Sequence, residues 1–360
     1  MRIVLNPLAS RSDYSAREKL VVSQALALDA KAEISRWPGY APTPLRKLDV
    51  LATKLGVGAL YYKDESGRLG QGSFKILGGA YAASLKLAKL GSKDRVTLCC
   101  ATDGNHGRSV AFAAQRHGCE CVVFMHEHAP RSKEQAIAAF GARVLRVAGT
   151  YDDSVRLAQK TAAEKGWILV ADTSNDAMDV TTRHVMQGYG VTALEVLEQL
   201  QSQNTTVTHV FLQAGVGGFA GAICAIFAEV YGPDRPRVIV VEPEAAACVL
   251  ESALLGRPAK VAGDLRTAMA MLSTGEASPV AWPILERRAE AFIAIEDAYA
   301  ISATGQLAEL GLSAGVSGAA GLAGLLGLLA HAEAASILGI DRQSRILVFG
   351  TEQASPLHEA

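Results

Sequence analysis

No two cysteines in this chain have the paired C-x-x-C spacing that grips a structural metal, and no long run of like charge invites a polyanion. The six cysteines, Cys99, Cys100, Cys119, Cys121, Cys224 and Cys248, lie mostly inside apolar runs and read as buried, reduced thiols of a cytosolic protein. Basic and acidic residues nearly cancel, 35 against 36, so neither nucleic acid nor a charged membrane surface is expected as a partner. The first residues, MRIVLNPLASRSDYS, lack the basic start and unbroken apolar core of a signal peptide. One charge-free stretch imitates a membrane span, GLSAGVSGAAGLAGLLGLLA at 311–330. Its small residues and lack of aromatic or basic flanks fit better a helix packed tightly inside a protein. Internal repeats, low-complexity tracts and obvious linkers are missing too. What survives is a globular protein that binds a small molecule.

The 360 residues are enough for two domains or one elaborate one, and 49% of them are apolar. Short β-rich runs at 95–101, 119–125, 142–147, 167–171, 207–213, 237–242 and 345–350 alternate with helical patterns. Several runs are apolar throughout, as strands buried on both faces are. Between them SVAFAAQRHG, SKEQAIAAFG and DSVRLAQKTAAEKG have helical spacing and terminal glycines. The expectation is an α/β protein with parallel sheet.

Three Gly-rich loops stand where open α/β sheets bind ligands, at strand ends. One is GQGSFKILGGAY, 70–81; the second is ATDGNHG, 101–107; the third is QAGVGGFAGA, 213–222. In the third, Gly215, Gly217 and Gly218 leave N–H groups free for an anion at a helix N-terminus. The same loop could be a plain tight turn. It also fits the GxGxxA dinucleotide fingerprint through Gly215, Gly217 and Ala220, with Glu242 ending the next strand. Lys75 discriminates. Set among Phe74, Ile76 and Leu77, its amine is expected in apolar surroundings that favour the neutral nucleophile. An aldehyde cofactor requires such a lysine, and a nicotinamide enzyme does not.

YYKDESGRLGQGSFKILGGAY at 61–81, APTPL at 41–45 and the GNH of ATDGNHG resemble the fold-type II pyridoxal-phosphate enzymes, the group of threonine dehydratase and tryptophan synthase β-subunit. The resemblance narrows to the diaminopropionate ammonia-lyases through Asp103, Asp172 in VADTSND, VMQGYGVTALE, VVEPEAAACVLESALLG and SGAAGL. It covers nearly the whole chain in order. It implies two open parallel-sheet domains with the active site in the cleft: a large cofactor-binding domain of residues 1–86 and 193–360, and a small one of 87–192.

The resemblance also implies roles. Lys75 would bind the cofactor aldehyde covalently and, once displaced by the substrate amine, act as a base. Phe74, Asn105, Gly215, Val216, Gly217, Gly218 and Thr351 would hold pyridoxal 5'-phosphate, Asn105 at its phenolic oxygen and residues 215–218 at its phosphate. Ser73, Thr102, Asp103, His106 and Asp172 would line the substrate. Asp103 could bind a second ammonium, or take the α-proton of a D-amino acid while Lys75 serves the L-form. Read without the resemblance, both aspartates are N-cap or turn residues, and His106 is a structural hydrogen-bonder. The cluster His126, Glu127, His128 reads as a solvated loop, and no metal is expected.

The implied reaction is α,β-elimination, with 2,3-diaminopropionate giving pyruvate and two ammonia molecules. A hydroxyamino-acid dehydratase or racemase on the same cofactor is the alternative, and a non-catalytic nucleotide binder or sensor is a third. A cytoplasmic homodimer acting on a small amino acid is expected. Three positions depart from the family pattern: Gly72 for an asparagine, Val316 for a glutamate and Gly350 for a hydroxyl residue.

Overall fold

The computed structural model describes residues 1–90, 96–102 and 104–354. Asp103, the Arg95 that opens the first expected strand of the 95–171 group, and the end of the C-terminal segment 349–356 lie outside the described residues. Eleven strands form among the described residues: β1 (Arg2–Leu5), β2 (Leu45–Lys47), β3 (Ala59–Asp64), β4 (Thr97–Ala101), β5 (Glu120–His126), β6 (Arg143–Val147), β7 (Ile168–Leu169), β8 (His209–Gln213), β9 (Arg237–Pro243), β10 (Ala291–Ile295) and β11 (Arg345–Gly350). A seven-stranded sheet runs β1-β10-β9-β8-β11-β3-β2, and a four-stranded sheet runs β6-β5-β4-β7. The smaller sheet is parallel throughout, while the larger has antiparallel edges at β1 and β2.

Each of the seven β-rich runs of the sequence overlaps a strand of these sheets. Four further strands escaped the sequence pattern. Strand β3 is fully buried yet contains Lys63 and Asp64, charges that disguise it; β1 and β2 are three- or four-residue edges; β10 is a short AFIAI run. Two of the three expected helices end on left-handed glycines, Gly118 and Gly166. The third, Arg131–Ala138, is capped by Ala139 before Gly141 is reached. Within 311–330 only Ala320–Leu329 is helical, and it packs on β8, β9, β10 and β11. Among the described residues no helix is long and apolar enough to cross a membrane.

Lys63 is buried because its partners are. Its ammonium donates to Glu195 Oε2 at 2.7 Å, to the Thr43 carbonyl at 2.7 Å and to Gln199 at 3.0 Å. Arg68 donates to both Glu195 oxygens and both Glu65 oxygens, each at 2.7–2.8 Å. All four charged side chains are inaccessible to solvent. Burial alone would push Glu195 up, but Arg68 and Lys63 outweigh it and hold the carboxyl below its ordinary value. The cluster ties β3 and the 65–70 turn to helix Val180–Ser202.

The helix that starts at Lys75 (Lys75–Ala88) then crosses Val180–Ser202 at unusually close range. A Cβ on Gly78 would lie 2.4 Å from the Tyr189 ring, and one on Gly188 2.2 Å from the Leu77 carbonyl oxygen. One residue further, a Cβ on Gly79 would strike Ser109 of helix Asn105–His117. The glycine pair of FKILGGAY therefore brings three helices together around Lys75.

Replacing Glu195 by alanine leaves Lys63 and Arg68 short of a buried counter-charge. The variant is expected to lose about 3–5 kcal/mol of stability, seen as a lower midpoint in urea unfolding followed by circular dichroism.

Candidate active site

Lys75 is the first residue of its helix, and its side chain is 26% exposed. Its Nζ donates to Asp172 Oδ2 at 2.8 Å and stands 5.8 Å from the Phe74 ring and 5.9 Å from the Tyr189 ring. The expected apolar surroundings are therefore half present: aromatic rings on one side, a carboxylate on the other. Burial pulls the Lys75 ammonium down, but the Asp172 charge outweighs it and holds the amine above its ordinary value. Burial likewise pushes Asp172 up, and the Lys75 charge overrides this to hold it well below the usual carboxylate range. The pair is a charged one.

Asp172 follows β7 at the C-terminal end of the smaller sheet. Beside it, buried His106 donates from Nε2 to the Val170 carbonyl at 2.8 Å, which fixes the ring. Its Nδ1 makes no hydrogen bond among the described residues and lies 4.0 Å from Asp172 Oδ2. Thr102 is buried and its hydroxyl accepts from Gly104 N at 3.1 Å, shaping the loop before helix Asn105–His117. Asn105, the first residue of that helix, donates from Nδ2 to Glu352 Oε2 at 2.8 Å. Ser73 is buried and accepts from Lys75 N at 3.3 Å. Phe74 packs on Phe219 and Tyr189, with ring centroids 4.4 and 4.8 Å away.

Residues 214–217 connect β8 to helix Gly218–Tyr231. Gly217 has φ +95°, a left-handed conformation, and a Cβ there would approach Leu285 to 2.9 Å. The first-turn N–H groups of that helix have no intrahelical acceptors, so this glycine loop is a cradle for an anion. Thr351 is buried after β11, its hydroxyl accepting from Gln213 Nε2 at 2.9 Å. The hydroxyl missing at Gly350 has a neighbour: the buried Tyr62 hydroxyl occupies the space a side chain there would take. Gly72 adopts φ +70°.

Lys75, Ser73, Phe74, Asn105, His106, Asp172, Thr102, Thr351 and the 215–218 loop thus have the partners just described, whereas Asp103 lies outside the described residues. Sequence reasoning missed Tyr189 and Glu352 as individual residues. Tyr189 sits in the VMQGYG segment and Glu352 in FGTEQASP, both part of the resemblance, but one faces Lys75 only because the helices cross at glycine. Burial pushes the Tyr189 phenol up to about 12, so it keeps its proton at neutral pH.

Removing the Asp172 charge leaves the downward pull of burial on Lys75 opposed only by Tyr189. In apoprotein carrying Asp172→Asn, the midpoint for labelling Lys75 with an amine-reactive reagent, followed by peptide mapping, is expected to move to lower pH than in the unaltered protein.

Residues 36–346 match the family model described as pyridoxal-phosphate dependent enzyme. The chain is 37% identical over 308 residues to the diaminopropionate ammonia-lyase of Escherichia coli K12, covering 81% of this chain and 77% of the relative. It is 38% identical over 346 residues to that of Salmonella typhimurium, covering 88% and 86%. The crystal structure of the Escherichia coli enzyme in complex with D-serine superimposes with a TM-score of 0.90 at 34% identity, over 98% of this chain and 93% of that one. The observed site suits the cofactor: Lys75 is partly exposed, the glycine cradle can take a phosphate, and Asn105 is an amide donor. The chain belongs to the family of pyridoxal-phosphate dependent enzymes.

Proposed function

We propose that this protein is an ammonia-lyase that converts 2,3-diaminopropionate and water to pyruvate and two ammonia molecules by α,β-elimination. The observation that carries the reading is the Lys75–Asp172 pair at 2.8 Å, beside the Asn105 loop. Relatives named as diaminopropionate ammonia-lyases support the substrate. Residues Gly215, Val216, Gly217 and Gly218 would hold the phosphate, Lys75 the aldehyde carbon and Asn105 the phenolic oxygen. When bound, pyridoxal phosphate supplies an electron sink that makes the α-proton acidic.

The chain's own groups do the rest. Once displaced by the substrate amine as a neutral amine, Lys75 Nζ would take the α-proton, and Asp172 would stabilise the ammonium so formed. That ammonium is then a proton source for the departing β-amine, a poor leaving group unless protonated. Asp172 cannot be that source near neutral pH, because Lys75 holds it ionised. Its part is to bind positive charge, whether on Lys75 or on the substrate's second ammonium. Asp103 is proposed as the second carboxylate, binding that ammonium or taking the α-proton of the D-enantiomer. His106, fixed through Nε2, braces the site next to Asp172. Ser73 and Thr102 line the substrate, Phe74 and Thr351 the cofactor.

The two sheets support a division into a large domain of 1–86 and 193–360 and a small one of 87–192, with closure over the substrate excluding water. A cytoplasmic homodimer completes the reading.

The test is pyruvate and ammonia release from D- and L-2,3-diaminopropionate, serine, threonine and 3-substituted alanines. Turnover is expected to be fastest on a diaminopropionate enantiomer and absent in Lys75→Ala. Faster turnover of serine or threonine would overturn the substrate. Asp103→Ser is expected to lower turnover of diaminopropionate more than that of serine.

A further inference from the structure

Glu352 follows β11, and its backbone fastens two neighbouring segments. Gly315 N donates to its carbonyl at 3.0 Å, and its flanks bind the lysine loop: Phe74 N donates to the Thr351 carbonyl at 3.2 Å, and Gln353 N to the Gly72 carbonyl at 2.9 Å. Its side chain lies against the 315–318 turn, where Val316 replaces the family's acidic residue; a Cβ on Gly315 would come within 3.0 Å of Glu352 Oε1. From there the carboxyl reaches Asn105, which belongs to the helix following β4 of the smaller sheet.

We propose that Glu352 is a positioning residue that fixes the side-chain amide of Asn105, so that its nitrogen rather than its oxygen is presented to the phenolic oxygen of the cofactor. The inference rests on the reading of the site given above. A primary amide has a donor end and an acceptor end of nearly the same shape, and only its partners decide which way it faces. A carboxyl oxygen that accepts from Nδ2 at 2.8 Å selects one orientation. The NH₂ group has two hydrogens; one is spent on Glu352 and the other is available to the cofactor. Burial pushes the Glu352 carboxyl up against the opposing effects of Lys133 and Asn105. The ionised carboxylate offers acceptors only, and it is this form that selects the amide nitrogen.

The experiment compares holoenzymes carrying Glu352→Met, which keeps bulk beside Gly315 but removes the acceptor, and Glu352→Gln, which keeps an acceptor oxygen. The readouts are the absorption bands of the bound cofactor, sensitive to hydrogen bonding at its phenolic oxygen, and the Kd for pyridoxal phosphate titrated into apoprotein. Glu352→Met is expected to redistribute the bands and raise Kd about tenfold, while Glu352→Gln stays close to the unaltered protein in both. Unchanged bands in Glu352→Met, or equal impairment in Glu352→Gln, would overturn the assignment. If Glu352→Met does not fold, Glu352→Leu replaces it, because it too lacks the acceptor oxygen. The same redistribution is expected, and unchanged bands would again overturn the assignment. Failure of the unaltered apoprotein to bind pyridoxal phosphate would instead overturn the reading of the site itself.

Discussion

The strand, the turn and the long helix that lead to the reactive lysine are held together by two positive and two negative charges shut away from water. Lys63, Glu65, Arg68 and Glu195 compensate one another so completely that each is affordable only in the presence of the rest. Their value is directional. Ionic hydrogen bonds tolerate little displacement, so β3, the turn that follows it and helix Val180–Ser202 are locked at one relative position. The chain leaves this lock at residue 70 and reaches Lys75 five residues later. Little slack remains for the lysine to wander.

Much of this could be read in the sequence wherever the signal was local. Apolar strands, the glycine loops at their ends and a lysine set among apolar residues each announce themselves over a dozen positions. What was not legible is long-range. Asp172 lies 97 residues from Lys75, and as a lone aspartate before threonine it is indistinguishable from a capping residue. Strand β3 went unseen because Lys63 and Asp64 look like surface charges until the partner of Lys63, 132 residues away, is known. The apolar environment expected for Lys75 is only half present for the same reason: Phe74 and Tyr189 give the aromatic side, and the carboxylate comes from the smaller sheet.

The departures from the family pattern sort themselves by geometry. Gly72 occupies a left-handed conformation, one that asparagine also visits more readily than most residues. Gly350 leaves its space to the hydroxyl of Tyr62, brought across from β3, its neighbour in the sheet. Val316 stands in a turn that Glu352 already furnishes with a carboxyl group. In two of the three cases the space beside the exchanged residue is taken by a polar side chain from elsewhere in the fold. A pattern of motifs scores such exchanges as losses; a folded chain does not.

The close crossing at Gly78 and Gly188 limits how this enzyme can diversify. Backbone meets backbone there without an intervening side chain, so neither helix can trade one residue for a bulkier one to reshape the pocket from that side. New specificities must instead be written in the loops around residues 102–106, 172–175 and 315–318. The wall behind the lysine is closed to added bulk, and the rim opposite it has room for change.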